Sequence, residues 1–126
     1  MSAIKAAVYI RVARECDYAI KIQEQVVTGF AKANGFSDYT LYSDNGESGL
    51  TLNRPSMNRL MADIRNGKIG TVIAKDFIRI ARDLLLLGEW LDFVQKHGVK
   101  VTSVQDGDFD GWVSRPTWFK EFSSAM

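Results

Sequence analysis

The stretch VYIRVARE, residues 8–15, decides how the rest of this chain is read. Its first half is an apolar run of β-branched and aromatic residues, the signature of a buried strand; its second half turns polar as the chain leaves that strand. Arg11 stands at the exit. A guanidinium does not give up its proton, so at such a place it either pairs with an acid or meets an anion. Working outward, the first strand is taken as AAVYIRV (6–12), and YTLYS (39–43), TVIAK (71–75) and VKVTSV (99–104) share its character. Each of these three lies beside Gly, Asn or Asp.

Three helical patterns separate the strands. Over 17–34, Ala19, Ile22, Val26, Phe30 and Ala33 recur at spacings of three and four, and Asn34-Gly35 closes the run as a C-cap should. In the second, Asn53 is read as the cap, Pro55 as a first-turn residue, Met57, Leu60, Met61 and Ile64 as the buried stripe, and Gly67 as the stop. The third runs from about Ala81 to His97, with Leu87, Trp90, Leu91 and Val94 on one stripe and Gly98 as terminator. Strands and helices alternating in this way give right-handed βαβ units. The expected fold is α/β and three-layered: a mainly parallel sheet of roughly four or five strands with helices on both faces, in one domain spanning 1–126.

Composition sets the outer limits. With 46% hydrophobic and 25% charged residues in 126, the chain has the makeup of an ordinary globular domain able to bury a core. Sixteen basic and fifteen acidic residues leave a net charge of +1, so an anion site must come from local clustering. The single cysteine, Cys16, excludes an internal disulfide and fits a reducing cytoplasm. MSAIKAAVYI is interrupted too soon by Arg11 to read as a signal peptide. No uncharged run approaches the ~20 residues of a membrane span, since LLLLGEWL is broken by Glu89. A cytoplasmic domain with no membrane partner is expected.

In open parallel sheets the ligand site lies at the carboxyl ends of the strands. Arg11 ends the first strand. Asp44, Asn45, Gly46, Glu47, Ser48 and Gly49 follow the second and lead to Arg54. Lys75 and Asp76 end the third, with Arg79 and Arg82 close behind, and Asp106, Gly107 and Asp108 follow the fourth. Four arginines thus converge on one edge, and arginine meets phosphate oxygens two at a time. If 79–83 is helical, Arg79 and Arg82 share a face. Any one of these arginines alone reads as solvated or paired with Asp44, Asp76 or Asp83; four together favour an oxyanion site. RVARECD holds no glycine, so no phosphate-binding glycine fingerprint follows the first strand. One histidine and one cysteine do not make a zinc site, and His97 reads as a helix C-terminal residue. Asp44, Asp76 and Asp106 could together hold magnesium; pairing with the neighbouring arginines is the preferred use. No metal and no cofactor are assigned.

In these residues the chain resembles the N-terminal catalytic domain of the serine site-specific recombinases: resolvases, invertases and large serine integrases. YIRVA (9–13) matches Tyr-x-Arg-Val-Ser. Gln23 precedes FAKANGF as a family glutamine precedes Tyr-Ala-x-x-Asn-Gly. DNGESG (44–49) with Arg54-Pro55 matches Asp-x-Gly-x-Ser-Gly and Arg-Pro, 63–83 runs into Arg-x-x-Arg-Asp, and VTSVQDG (101–107) matches the close of the fourth strand. Five motifs in order and spacing cover nearly the whole chain. The resemblance implies a metal-free DNA strand transferase, in which a serine after the first strand attacks a backbone phosphate and becomes a 5′-phosphoserine. Carried over by position, Arg11, Arg79 and Arg82 are the phosphate clamp, Arg54 a further phosphate ligand, Gln23, Asp44 and Ser48 supporting residues. The implied assembly is a homo-oligomer, dimer or tetramer; the net charge of +1 predicts weak DNA affinity for this domain alone. The 81–97 helix and the 112–126 tail, with Trp112, Trp118, Phe119 and Phe122, are its expected interface; the competing reading makes that helix a core helix under the tail.

The chain departs from the pattern at two residues. Ala13 stands where the nucleophilic serine belongs and Ile78 where the family has aspartate or serine; a truncated interface helix and no separate DNA-binding domain are the expectation for residues 1–126. Cys16, three residues on, is read as a buried or capping residue in preference to a displaced nucleophile. Ala13 is open to three readings: a Ser→Ala replacement in an inactivated recombinase, the native residue of a non-catalytic regulator or assembly partner, or a nucleophile moved to another position. A phosphoacceptor or nucleotide-binding module is a third, weaker function.

Overall fold

A computed structural model of the protein describes residues 5–109. The first run becomes β1 (Lys5–Val12), followed by α1 (Asp17–Ala33), β2 (Tyr39–Asn45), α2 (Pro55–Arg65), β3 (Ile69–Ala74), a four-residue α3 (Phe77–Ile80), α4 (Leu84–Lys96), β4 (Lys100–Ser103) and β5 (Gly107–Phe109). The strand order is β2-β1-β3-β4-β5; β1 pairs parallel with β2 and β3, and β3 parallel with β4. Only β5 runs antiparallel, folding back on β4. The expected α/β sheet with helices on both faces is therefore present.

Strand geometry sends alternate side chains to opposite faces. Ala6, Val8 and Ile10 of β1 pack with Val27 and Ala31 of α1. Ala7 and Tyr9 pack on the other side with Tyr42, Met57, Leu60, Trp90 and Leu91. Each large apolar side chain so buried stabilises the fold by about 1.5–3 kcal/mol. The chain moves outward from β1 to β2, then returns across it to β3. This reversal opens a crevice at the carboxyl ends of β1 and β3.

Four boundaries differ from the sequence reading. On α1 the buried residues are Gln23, Val27 and Ala31, while Ile22 and Val26 are 43% and 41% exposed. The buried stripe is one position on from the expected one, because its first member is a polar glutamine with a backbone partner. On α2 the N-cap position is Arg54, in extended conformation, with Pro55 following; Asn53 instead accepts a bond from the Asn58 amide. The third helix is two: Ala81 is extended, Asp76 caps α3 through Arg79 N–H, and Asp83 caps α4 through Leu85 N–H. Two local carboxylate caps so close together favour two short starts over one long helix. Consequently Arg79 and Arg82 do not share a helical face. Finally, Gly107 and Asp108 belong to β5 and are not free loop residues at the site.

α4 buries one stripe, Leu87, Trp90, Leu91 and Val94, as expected, whereas Leu85 is 48% exposed. The expected interface tail at 112–126 lies outside the described residues. Among the described residues no helix is long and apolar enough to cross a membrane.

Candidate phosphate-binding site

Arg11 is the last β1 side chain on the Tyr9 face, and it is 1% exposed. Its guanidinium donates to three backbone carbonyls: Nε to Arg79 O at 2.7 Å, Nη1 to Glu47 O at 2.9 Å and Nη2 to Ile78 O at 3.1 Å. The α1 glutamine fixes the backbone beneath it. Gln23 Oε1 accepts from Arg11 N at 2.9 Å while Gln23 Nε2 donates to Arg11 O at 3.0 Å. Both main-chain groups at the strand exit are thereby satisfied by one amide.

Arg54 is fully buried. It donates through Nε to Thr51 O at 2.7 Å, through Nη1 to the Tyr9 hydroxyl at 2.5 Å and Arg79 O at 3.4 Å, and through Nη2 to Ile80 O. Tyr9 passes the connection on, donating to Asp44 Oδ2 at 2.8 Å. The Asp44 carboxylate also accepts from Ser56 N at 2.8 Å and Met57 N at 3.0 Å, so it caps α2 from the end of β2. Arg54, Tyr9 and Asp44 form one buried chain that ties β1, β2, α2 and the 76–82 segment together. Tyr9 was not among the expected site residues, although its place two residues before Arg11 puts it on the same strand face.

Of the remaining two arginines, Arg79 is half-buried and Arg82 exposed. Arg79 lies 3.7 Å from Asp76 across Nε and Oδ2, and that Nε has no hydrogen bond. Arg82 is exposed, and its guanidinium has no ion-pair or hydrogen-bond partner among the described residues. Its backbone N–H donates to Gly49 O at 2.9 Å. The four cations are close enough to act on one another. Arg11 is held below the ordinary arginine pKa, first by burial, then by Arg54, with Arg79 and Arg82 adding to the effect. Burial pushes the Tyr9 hydroxyl well above the usual tyrosine value; the Asp44 hydrogen bond adds to this and Arg54 opposes it.

Ala13 is exposed, on the bend just past β1. The Val12 carbonyl before it accepts from Gly46 N at 2.9 Å and Glu47 N at 3.1 Å, fastening the bend to the loop after β2. Cys16 is the N-cap of α1, its sulfur accepting from Ala19 N at 3.4 Å, so it is a capping residue and exposed, not buried. Ser48 Oγ accepts from Leu50 N at 3.0 Å in a local turn. The three aspartates weighed as a magnesium site are separately engaged: Asp44 at α2, Asp76 at α3, and Asp106 accepting from Phe77 N at 2.9 Å. No metal-ligating cluster exists among the described residues. Of the acid–arginine pairings expected at this edge, only Asp76–Arg79 forms.

A cleft of about 260 Å³ adjoins Arg82, lined by Asp76, Ile78, Leu84, Gln105 and Asp106 among others. A larger one of about 630 Å³ lies against β4 and β5, with Phe30, Phe36 and Phe109 in its lining and no arginine. Charge, not volume, locates the site.

Fold and edge together define an α/β domain with a cationic crevice at its sheet reversal. The sequence pattern of the family described as "Resolvase, N terminal domain" matches residues 6–117, and the chain belongs to that family of serine recombinase catalytic domains. It is similar to the N-terminal catalytic domain of TP901-1 integrase, with a TM-score of 0.77 and 27% identity over 96% of this chain and 90% of that one. A resolvase family site-specific recombinase from Streptococcus pneumoniae gives 0.72 and 27% over 98% and 85%. A Bacillus subtilis (strain 168) protein named "Putative DNA recombinase" is 42% identical over 82 residues, which are 63% of this chain and 16% of that protein.

Proposed function

We propose that this chain is a serine-recombinase catalytic domain that holds a DNA backbone phosphate at its arginine edge and does not cut the strand, because alanine occupies position 13. The observation that carries the reading is an exposed Ala13 two residues beyond Arg11, beside four clustered arginines. In strand transfer of this class an oxygen nucleophile attacks phosphorus, an ester to the protein forms, and the 3′ oxygen leaves. Arginines stabilise the charge that builds on the non-bridging oxygens. The ester conserves the bond energy for rejoining, so no nucleotide is consumed. An alanine methyl has neither a lone pair to attack with nor a proton to give up. Binding remains available and the covalent step does not.

The arginines divide the labour. Arg82, exposed, and Arg79, half-buried, are the less buried pair and make first contact with DNA; Arg54 and Asp44 form the frame that holds them. The homo-oligomer expected through the 81–97 segment and the 112–126 tail belongs to the same proposal.

A second reading, a non-catalytic regulator or assembly partner, is favoured by one specific feature. Gln23, Tyr9, Asp44 and Arg54 keep every scaffolding bond intact around a site without a nucleophile. Such a chain could still bind and assemble.

The binding half of the proposal is tested by fluorescence anisotropy with labelled duplex DNA over a salt series. Affinity should be weak, fall steeply with salt and be indifferent to a chelator. Arg82→Ala should weaken binding across all sequences and reduce the salt slope by about 1. Salt-insensitive binding, or no effect of Arg82→Ala, would contradict it.

A further inference from the structure

The guanidinium of Arg11 is stoppered. Three carbonyls, those of Glu47, Ile78 and Arg79, occupy its donors, and two of them come from the segment that carries Arg79 and Arg82. Above it lies Gly49. A Cβ at that position would stand 2.7 Å from Arg11 Nη2 and 2.6 Å from Arg82 Cγ, closer than real contacts allow. Gly49 is not in the left-handed region, so its lack of a side chain answers to space alone. The loop also closes on itself here, because Gly49 O accepts the Arg82 N–H.

Little else fastens the tip of this loop. Glu47 is half-buried and Ser48 exposed, and Leu50 is 69% exposed. The firm attachment is at its base, where Gly46 and Glu47 N–H groups both bond Val12 O. Beneath the loop, Arg11 sits among Arg54, Arg79 and Arg82 with carbonyl dipoles, not full negative charges, around it. Carbonyls satisfy its hydrogen-bond geometry and leave most of the mutual repulsion in place. An anion would satisfy both.

We infer that the Glu47 carbonyl on Arg11 Nη1 holds the place of a phosphate oxygen, and that the tip of the 46–50 loop, beyond its anchored base, vacates it when a phosphate group enters. Gly49 is the positioning residue that permits the closed form. This rests on the phosphate-binding reading above and extends it: the site is closed in the resting domain, and the ligand itself supplies the free energy difference between closed and open states. Affinity in the resting domain is then reduced by the fraction of time the loop is open.

The test uses the full chain, isotope-labelled for NMR, with inorganic phosphate as the probe. Amide exchange is followed at Arg82, whose N–H reports the Gly49 O bond, and at Gly46 and Glu47, which report the base of the loop. Phosphate should speed exchange at Arg82 and leave the Val12-bonded amides protected. Gly49→Ala should do the same without phosphate. It should also bind phosphate more tightly, by roughly tenfold if the open form is about a tenth of the resting population. The milder Ser48→Ala, which removes only the Ser48 Oγ bond to Leu50 N–H, is read in the same way and with a smaller gain. Phosphate that binds while Arg82 N–H stays protected overturns the inference, as does a Gly49→Ala protein that opens yet binds more weakly. Absence of saturable phosphate binding in both proteins overturns it too; DNA binding by anisotropy decides the functional reading independently.

Discussion

Replacing Arg54 by methionine should cost far more stability than replacing any other arginine at this edge. Methionine keeps length and apolar volume while removing the guanidinium. The change deletes donors to Thr51 O, Ile80 O and the Tyr9 hydroxyl, along with the longer bond to Arg79 O. It also removes the cation behind Tyr9 from a chain that ends on Asp44, itself 2% exposed. Breaking one side of a buried charged network costs about 3–5 kcal/mol, since the Thr51 and Ile80 carbonyls and the Tyr9 hydroxyl lose their buried donor. Against a typical total of about 5–15 kcal/mol, that is about a fifth or more of the domain's stability. Urea unfolding would show it as a fall in the midpoint of roughly 1–5 M at unchanged slope. Arg82→Met is the internal control. Its guanidinium is exposed and without a partner among the described residues, so the change should stay within about 0.5 kcal/mol. If Arg54→Met stays within about 1 kcal/mol of the parent, or Arg82→Met proves the costly one, the division into frame and contact arginines is wrong.

Two further outcomes follow from the same geometry. Gln23→Glu replaces the donor to Arg11 O with an acceptor, costing about 1–3 kcal/mol near neutral pH. A carboxyl facing a carbonyl prefers its protonated form, so its folded pKa is raised and the penalty should shrink in acid; unfolding of both proteins across pH checks this. The Tyr9 and Tyr42 hydroxyls, both buried, are held above the ordinary value near 10, Tyr42 by burial and by its bond to Asp63. Stability should therefore be flat in these groups below about pH 10 and fall above it, by up to about 2.7 kcal/mol per pH unit if both protons are retained. Tyrosinate absorbance at those two residues rising near pH 10 in a still-folded protein would rule that out.

What the sequence disclosed, and what it hid, follows from which atoms carry the interactions. The apolar run at 6–12, the alternation of strands and helices, and the gathering of Arg11, Arg54, Arg79 and Arg82 at one edge all rest on residue types, and all are present in the structure. The burial of Arg11 and Arg54 rests on main-chain carbonyls, which every residue has and no residue type announces. The shifted stripe on α1 has the same origin: Gln23 is buried because its amide spans both backbone groups of Arg11, yet its polarity hides it from an apolar count. The break at Ala81 was legible in principle, since Asp76 and Asp83 each stand before a short apolar run as cap residues do. Leucine periodicity from 84 onward obscured it. β5, three residues long with two polar positions, carries too little pattern to be found without its partner strand.

The central claim concerns one atom that position 13 lacks. Ala13→Ser should be made in the full-length protein and incubated with supercoiled DNA carrying its recombination sites, then resolved for covalent protein–DNA adduct. The account predicts an adduct in the serine form and none from the alanine chain. An adduct formed with Ala13 in place, or none with serine restored, would contradict it.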